Sequence, residues 1–567
     1  MGRGSTQTSS STKGKYAVPP EIRALKPKDI SCTVKKIDGH YYVYEHKRVD
    51  DLANPGKKKN ATGKYLGTIV DGAFVPYEQE SKSITDEDPD NLNYGPYGIA
   101  LACSTELLPM LKKAFNNTKD ATTIYVIAII YFVNHYIPAR DLREIYRQSV
   151  LCKKFTAVNL SENTVGNFIE ALGNHSRKRL KFEHLLIDDG SGKYNIDGHV
   201  ILSCSNNNEL ADYGAKYKHL GDTQSNFMMV YDADKKRGVA CVAFEGGISD
   251  KTEVNDVIEL HSFKKARFRI DSGFYSESNM ELFRRNECIF TIPVPKTATL
   301  KKTPLRHLEF EESFVHTRRD EHGLEVYSSV QYKEYTVLEV EKIAEEDAIA
   351  DAKQAEEDYL KTLQKGQEPE KDFPPRKITH SKYETDRIIV FKDQLMHDKL
   401  AYDYKKCIGD GKHTEEEFEE LDGQFGVIVL RTNDPEIKPR DVYIEYKDRW
   451  EIETYYNYVK NGLDLNGLHS QNYYVQQGIG FLTLVEGQIY SEVLKKIQNA
   501  KSSYIKNMSV EECLRIAGRL KLAQHPDNTW HSNSMKGKVN ELFAYFGVDT
   551  QKMISELNTQ SKHDAKV

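Results

Sequence analysis

Cysteine is sparse and scattered in this chain: Cys32, Cys103, Cys152, Cys204, Cys241, Cys288, Cys407 and Cys513 lie far apart, with no C-x-x-C pair. Such spacing excludes a zinc knuckle and offers no disulfide framework, and it suits a reducing cytoplasm. Long apolar runs are missing too. The longest, Tyr125 to Val133, is about half of what a bilayer crossing needs, so a buried helix is expected there and no membrane span. The polar start, Met1 to Ser10, lacks the apolar core of a secretory signal and is expected to be disordered. Ser272 and Ser276 have no G-x-S-x-G elbow around them, which sets aside a serine nucleophile. No internal repeat is visible.

What is present is a long chain of ordinary composition, 567 residues with 39% hydrophobic and 29% charged, enough for several domains with sizeable cores. Its net charge of -6 hides an uneven distribution. Residues 11–65 hold thirteen Lys and Arg against six Asp and Glu. Arg177-Lys178-Arg179-Leu180-Lys181 forms a second basic cluster, while residues 339–372 hold twelve acids against five bases. Since phosphate binding follows local patches rather than the mean, the overall acidity does not exclude nucleic acid.

The expected fold class is α/β, a mixed sheet with flanking helices. Residues 1–30 are read as a disordered N-terminus and 31–95 as a small basic β module. In that module Tyr41 to Tyr44 alternates into a turn around Asn54 to Gly63, and Tyr65 to Val70 resumes the strand. Residues 96–190 are read as a helical region and candidate DNA-binding domain. Helices Ala139–Val150 and Ser161–Gly173 there make a helix-turn-helix candidate followed by the Arg177 cluster. The core occupies 191–299. It holds a strand Tyr194–Leu202, a hairpin of Phe227–Tyr231 with Gly238–Phe244 across a polar turn, a helix Asp250–Phe263, a strand Ala266–Ile270, a helix Ser276–Asn286 and a strand Cys288–Ile292. Residues 300–435 read as a β-rich inserted domain with strands Thr336–Val340, Arg387–Phe391 and Gly426–Leu430 and an acidic helix near Glu345 to Lys361. The core resumes at 436–500, and 501–567 reads as a helical tail ending in a polar stretch.

The chemistry concentrates in Tyr446, Arg449, Glu453 and Lys460, at offsets 0, 3, 7 and 14. On a continuous helix these four fall within an arc of roughly 60°. A carboxylate flanked by two cations and a phenol suits metal-assisted phosphodiester chemistry, with an oxygen ligand for a divalent cation and donors for phosphate oxygens. A solvated helix laced with ion pairs carries the same residue types. Three strands, a helix, a strand ending on an acid and a late helix bearing another acid describe the ribonuclease H arrangement, whose carboxylate positions hold Asp197, Asp271 and Glu453. Asp188 and Asp189 compete with Asp197. Hard oxygen donors without Cys/His clusters favour two Mg²⁺ ions, replaceable by Mn²⁺, over zinc. Trp450, Tyr455, Tyr456 and Tyr458 are expected in the core rather than as stacking platforms.

The pattern Y-x2-R-x3-E-x6-K resembles the YREK signature of the DDE transposases of bacterial insertion sequences, the insertion sequence four superfamily. Asp271-Ser272-Gly273-Phe274-Tyr275-Ser276 resembles that family's second-aspartate segment and Ile196-Asp197-Gly198 its first-aspartate strand, although His199 stands where Thr or Ser often follows. The resemblance covers roughly residues 190–490. It implies that Asp197, Asp271 and Glu453 are catalytic and bind the metals, and that Tyr446, Arg449 and Lys460 hold DNA backbone. It further implies double-stranded DNA partners (terminal inverted repeats and target), a dimer in the DNA complex, a cytoplasmic, nucleoid-associated location, and hydrolytic cleavage followed by strand transfer. A ribonuclease H-fold nuclease without strand transfer, or an inactive DNA-end binder, would share these residues.

Overall fold

The computed structural model describes residues 18–564, apart from 29, 38, 51–57, 77–90, 204–207, 215, 217–219, 320–324, 363–371, 450–451, 454, 456, 459–471 and 535. It divides into two compact units, Met1–Asp88 and Pro89–Val567.

In the first unit, β1 (Cys32–Ile37), β2 (His40–Asp50), β3 (Lys58–Val70) and β4 (Ala73–Pro76) form an antiparallel sheet in that order. Alternation puts Cys32, Val43 and Ile69 on one face, where they pack with Ile22 of the helix Pro20–Ala24 and with Leu25, its C-cap. The strand after the first turn starts at Lys58, so the turn expected over Asn54 to Gly63 is in part strand. Cross-strand pairing of β2 with β3 outweighs the low strand preference of the Lys and Asn residues there.

The second unit opens with β5 (Asn91–Asn93), which joins a three-stranded sheet with β15 (Lys521–Gln524) and β16 (Trp530–Ser532). Its centre is a nine-stranded mixed sheet built from β6 (Lys193–Leu202), β7 (Gln224–Asp232), β8 (Arg237–Glu245), β9 (Arg267–Ile270), β10 (Ile289–Pro293), β11 (Glu312–Arg319), β12 (Glu325–Thr336), β13 (Arg387–Asp393) and β14 (Val427–Thr432). The spatial order is β11-β12-β13-β14-β10-β9-β6-β7-β8. The β6-β9 and β9-β10 pairs are parallel and the rest are antiparallel.

Turn and cap chemistry set these elements. The β7-β8 hairpin closes where Asp232 accepts from the Lys235 backbone N–H at 2.8 Å and Lys236 takes φ 52°. Ser276 caps the helix Glu277–Arg285 by accepting from Asn279 N at 3.1 Å. Strands β11 to β14, expected as an inserted domain, continue the central sheet: β14 pairs along β10 from Thr291↔Thr432 to Pro293↔Leu430. That pairing covers what would otherwise be an open edge of β10.

One expected strand is a helix. Thr336–Val340 divides, with β12 ending at Thr336 and a helix running Val337–Thr362. A reciprocal capping box decides this: Thr336 Oγ1 accepts from Glu339 N at 3.2 Å, and Glu339 Oε2 accepts from Thr336 N at 2.6 Å.

The buried helix expected around Tyr125 to Val133 lies within Thr118–Asn134, with Ile124 to Phe132 inaccessible or nearly so. No single described helix is long and apolar enough to cross a membrane. The first helix of the expected helix-turn-helix ends at Arg147, and the second, Glu162–Asn174, turns Val165, Ile169 and Leu172 inward against Tyr473–Gln498. Arg179, expected in a surface basic cluster, is turned inward as well. It donates from Nη2 to Gly173 O at 2.9 Å and from Nη1 to Gln477 Oε1 at 3.4 Å.

Gly173 and Gly478 sit where the two helices cross, and a Cβ on Gly478 would collide with the Ile169 carbonyl. Backbone cannot retreat as a side chain can. Gly478→Ala is therefore expected to destabilise the protein by about 1 to 3 kcal/mol in urea unfolding, and an unchanged midpoint would show that the crossing is slack.

Candidate active site

Parallel pairing of β6 and β9 ends at Ile196↔Ile270, so the next residues, Asp197 and Asp271, stand side by side at neighbouring strand positions. Adjacent strands are about 4.8 Å apart. Asp197 Oδ1 accepts from Gly198 N at 3.0 Å and Asp271 Oδ1 from Ser272 N at 2.7 Å.

Glu453 arrives from the far end of the chain. The helix expected to run unbroken from Tyr446 past Glu453 is interrupted: Pro439–Lys447 ends at the Asp448 cap, with turn residues at 448–449, and among the described residues 452 and 453 are helical. Two short-range bonds bridge the gap, Arg449 N to Tyr446 O at 3.1 Å and Ile452 N to Arg449 O at 3.1 Å. The chain is tightened there to an i→i+3 pattern. Arg449, Tyr446 and Glu453 still meet across the break that follows Lys447. Arg449 Nη2 bonds Glu453 Oε1 at 2.9 Å, and its guanidinium lies 5.7 Å from the Tyr446 ring centre. Lys460, Trp450 and Tyr456 lie outside the described residues. Tyr455 and Tyr458 are buried, and Tyr458 stacks on Tyr490 with ring centres 3.5 Å apart.

The electrostatics bind the three carboxylates into one cluster. Burial pushes Asp197 up to about 6; Arg449 and the Gly198 N–H pull the other way, while Asp271 and Glu453 add repulsion. Burial works against the charge of Arg449, but Tyr446, Asp271, Glu453 and Asp197 together hold its pKa above the usual value. Asp189, a competitor by sequence, instead pairs with Arg237 at 2.8 Å.

Among the described residues no three His, Cys, Asp or Glu side chains form a ready-made metal-ligating group. The donor chemistry nevertheless fits a hard divalent cation: Asp197 and Asp271 are adjacent carboxylates under mutual repulsion, and Glu453 is committed to Arg449.

Three arginines that carry no motif hold this arrangement. Arg269, two residues before Asp271 and buried, donates from Nη1 to Glu445 O at 3.0 Å. It ties the second-aspartate strand to the helix Pro439–Lys447. Arg267 bonds Asp434 at 2.6 Å. Arg431, on β14 and fully buried, donates from Nε to Asp386 at 2.8 Å and from Nη1 to Tyr275 Oη at 3.0 Å and Glu277 at 2.9 Å. The segment following Asp271 is strapped by those last two bonds. The sequence signal was available in β9, where Arg267-Phe268-Arg269-Ile270 sets cations into what reads as a buried central strand.

A family model described as the transposase DDE domain matches residues 195–478, just over half of the chain and a span that contains Asp197, Asp271 and Glu453. The chain belongs to the DDE-domain transposases. Among solved structures it is similar to the piggyBac transposase in a cryo-EM synaptic complex with hairpin DNA, at 10% identity and a TM-score of 0.33, covering 75% of this chain and 80% of that one. No curated protein matches the chain.

Replacing Arg269 by Met would strip the Glu445 carbonyl of its buried donor. A stability loss of about 1 to 3 kcal/mol is expected in urea unfolding, and an unaltered stability would show that this bond does not hold the helix.

Behind the site, Glu486 is fully buried and pushed by burial up to about 8, partly offset by the Tyr458 hydroxyl that donates to it at 2.7 Å. Its proton is retained in the folded chain while the unfolded chain loses it near 4.5. Stability should therefore fall as pH rises from about 4.5 to 8, with the unfolded state binding fewer protons. Glu486→Gln is expected to flatten that slope, gaining at least about 1 kcal/mol at pH 8 over its effect at pH 4; parallel melting-against-pH curves for the two proteins would refute it.

Proposed function

We propose that this protein is a DNA transposase of the YREK-signature group, insertion sequence four superfamily, that binds element ends and carries out metal-dependent cleavage and strand transfer. The observation that carries the reading is the meeting of Asp197, Asp271 and Glu453 around Arg449. The order β8-β7-β6-β9-β10, with two antiparallel and two parallel pairs, supports a ribonuclease H-like core, and the contact of Arg449 with Tyr446 and Glu453 supports the subgroup.

In this reading Asp197, Asp271 and Glu453 would hold Mg²⁺, two ions with Mn²⁺ as a substitute. When bound, the metal neutralises the scissile phosphate and lowers the pKa of an attacking water. The chain's own residues orient the DNA. Arg449 donates from Nη2 to Glu453, and its planar guanidinium is the group suited to a phosphate oxygen. Tyr446 backs the guanidinium, and Lys460 adds a further backbone contact. Asp197 and Asp271 stay fixed by the adjacent backbone N–H groups that they accept from. Terminal repeats and target duplex are the partners, with a dimer joining two ends at the nucleoid in the cytoplasm.

A supercoiled plasmid carrying the element's ends, incubated with Mg²⁺, tests this. Joined products are expected. Nicks alone would favour a nuclease, and retarded but intact DNA an inactive end binder. Glu453→Gln is expected to abolish cleavage while DNA binding persists, whereas cleavage at the parent rate would remove Glu453 from the site.

A further inference from the structure

The N-terminal sheet has a part that its own core does not explain. β1 pairs with β2 only from Cys32↔Glu45 to Ile37↔His40, and β4 pairs with β3 only over Gly67 to Val70. Beyond those limits β2 and β3 continue as a two-stranded ribbon, in register from His46↔Thr62 to Asp50↔Lys58. Five residue pairs extend it by roughly 15 Å.

Its sequence is not that of a packing element. The paired residues hold Lys47, Arg48, Lys58 and Lys59 against Asp50, and they offer only Val49 and Ala61 as apolar residues. A two-stranded ribbon is marginal alone. Four cations against one acid make a polyanion the complementary partner.

The sheet at the base of the ribbon points to the same partner. Its inner face is filled by Cys32, Val43 and Ile69 against the helix Pro20–Ala24. On the outer face, Lys35 Nζ lies 5.7 Å from the Tyr44 ring centre, and Tyr65 packs tilted between Tyr44 and Tyr42 at 5.5 and 6.2 Å. Beside them Ile37, Val70 and Val75 are 42%, 49% and 49% exposed. Lysine, tyrosine and small apolar groups on one sheet face suit phosphates and base edges together. Rings tilted by 52° and 54° against one another are a poor stacking platform for splayed single-stranded bases.

We propose that the sheet of β1 to β4 is a duplex-DNA-binding unit whose β2-β3 ribbon lies in a major groove, with the outer sheet face following the adjoining backbone. A B-form major groove, about 12 Å wide, admits a two-stranded ribbon. The choice of DNA as the polyanion rests on the transposase reading; the binding site rests on the module alone.

The test uses the full chain and a short fluorescent duplex of arbitrary sequence, titrated at several salt concentrations. Combined Lys47→Ala, Arg48→Ala, Lys58→Ala and Lys59→Ala substitution is expected to weaken binding at least about tenfold and flatten the slope of log K against log salt by about 3 to 4, at roughly 0.9 per lost phosphate contact. The charge-keeping set Lys47→Arg, Lys58→Arg and Lys59→Arg should retain both affinity and slope. An unchanged slope in the alanine set, an equal loss in the charge-keeping set, or tighter binding of a single strand than of the duplex would overturn the proposal. Failure of the transposase reading shows elsewhere, as cleavage by Glu453→Gln at the parent rate, and leaves this titration interpretable.

Discussion

Carboxylates brought together in a half-buried place repel one another, and water cannot screen them there as it does at the surface. Arg449 is the cation that makes the assembly of Asp197, Asp271 and Glu453 tolerable. Its side chain bonds Glu453, lies against Tyr446 and opposes the burial that pushes Asp197 up to about 6. In the proposed function the same charge would also meet a DNA phosphate. Burying ion pairs is costly unless their remaining hydrogen bonds are met, and the surrounding structure supplies most of them.

That surrounding structure is a set of ties between elements far apart in the chain. Arg269 holds the helix Pro439–Lys447 to β9, the strand just before Asp271. Arg431 brings β14 onto Tyr275 and Glu277 just beyond Asp271. Ile452, Tyr455 and Tyr458 bury the back of the Glu453 segment against the helix Tyr473–Gln498, where Glu486 receives the Tyr458 hydroxyl. Each tie joins a site element to the core, so packing and site geometry are coupled through the same side chains.

Much of this was legible locally. The helix beginning at Ser276, the Asp232 to Arg237 turn and the strands of the β7-β8 hairpin are where residue pattern places them, because each depends on bonds within a few residues. The box Thr336-x-x-Glu339 was equally local, yet Val337 to Val340 reads first as a β-prone run; the reciprocal cap prevails over propensity. The break at Asp448 was not legible, since Tyr446 to Glu453 contains neither proline nor glycine.

Residue types and element types follow from the sequence by itself: which strands alternate, which helices are capped, and which side chains are able to bind a metal or hold a phosphate. Tertiary structure alone decided which of them meet. Asp197, Asp271 and Glu453 are separated by 74 and 182 residues, and the register Ile196↔Ile270 that sets the first two side by side is a property of two strands rather than of either. Arg179 looks like a surface cation in its local window, and nothing near Arg269 or Arg431 in sequence shows which group each will meet. They turn inward because buried carbonyls and carboxylates from distant segments await them there, and the cost of leaving such groups unpaired exceeds the cost of burying the charge.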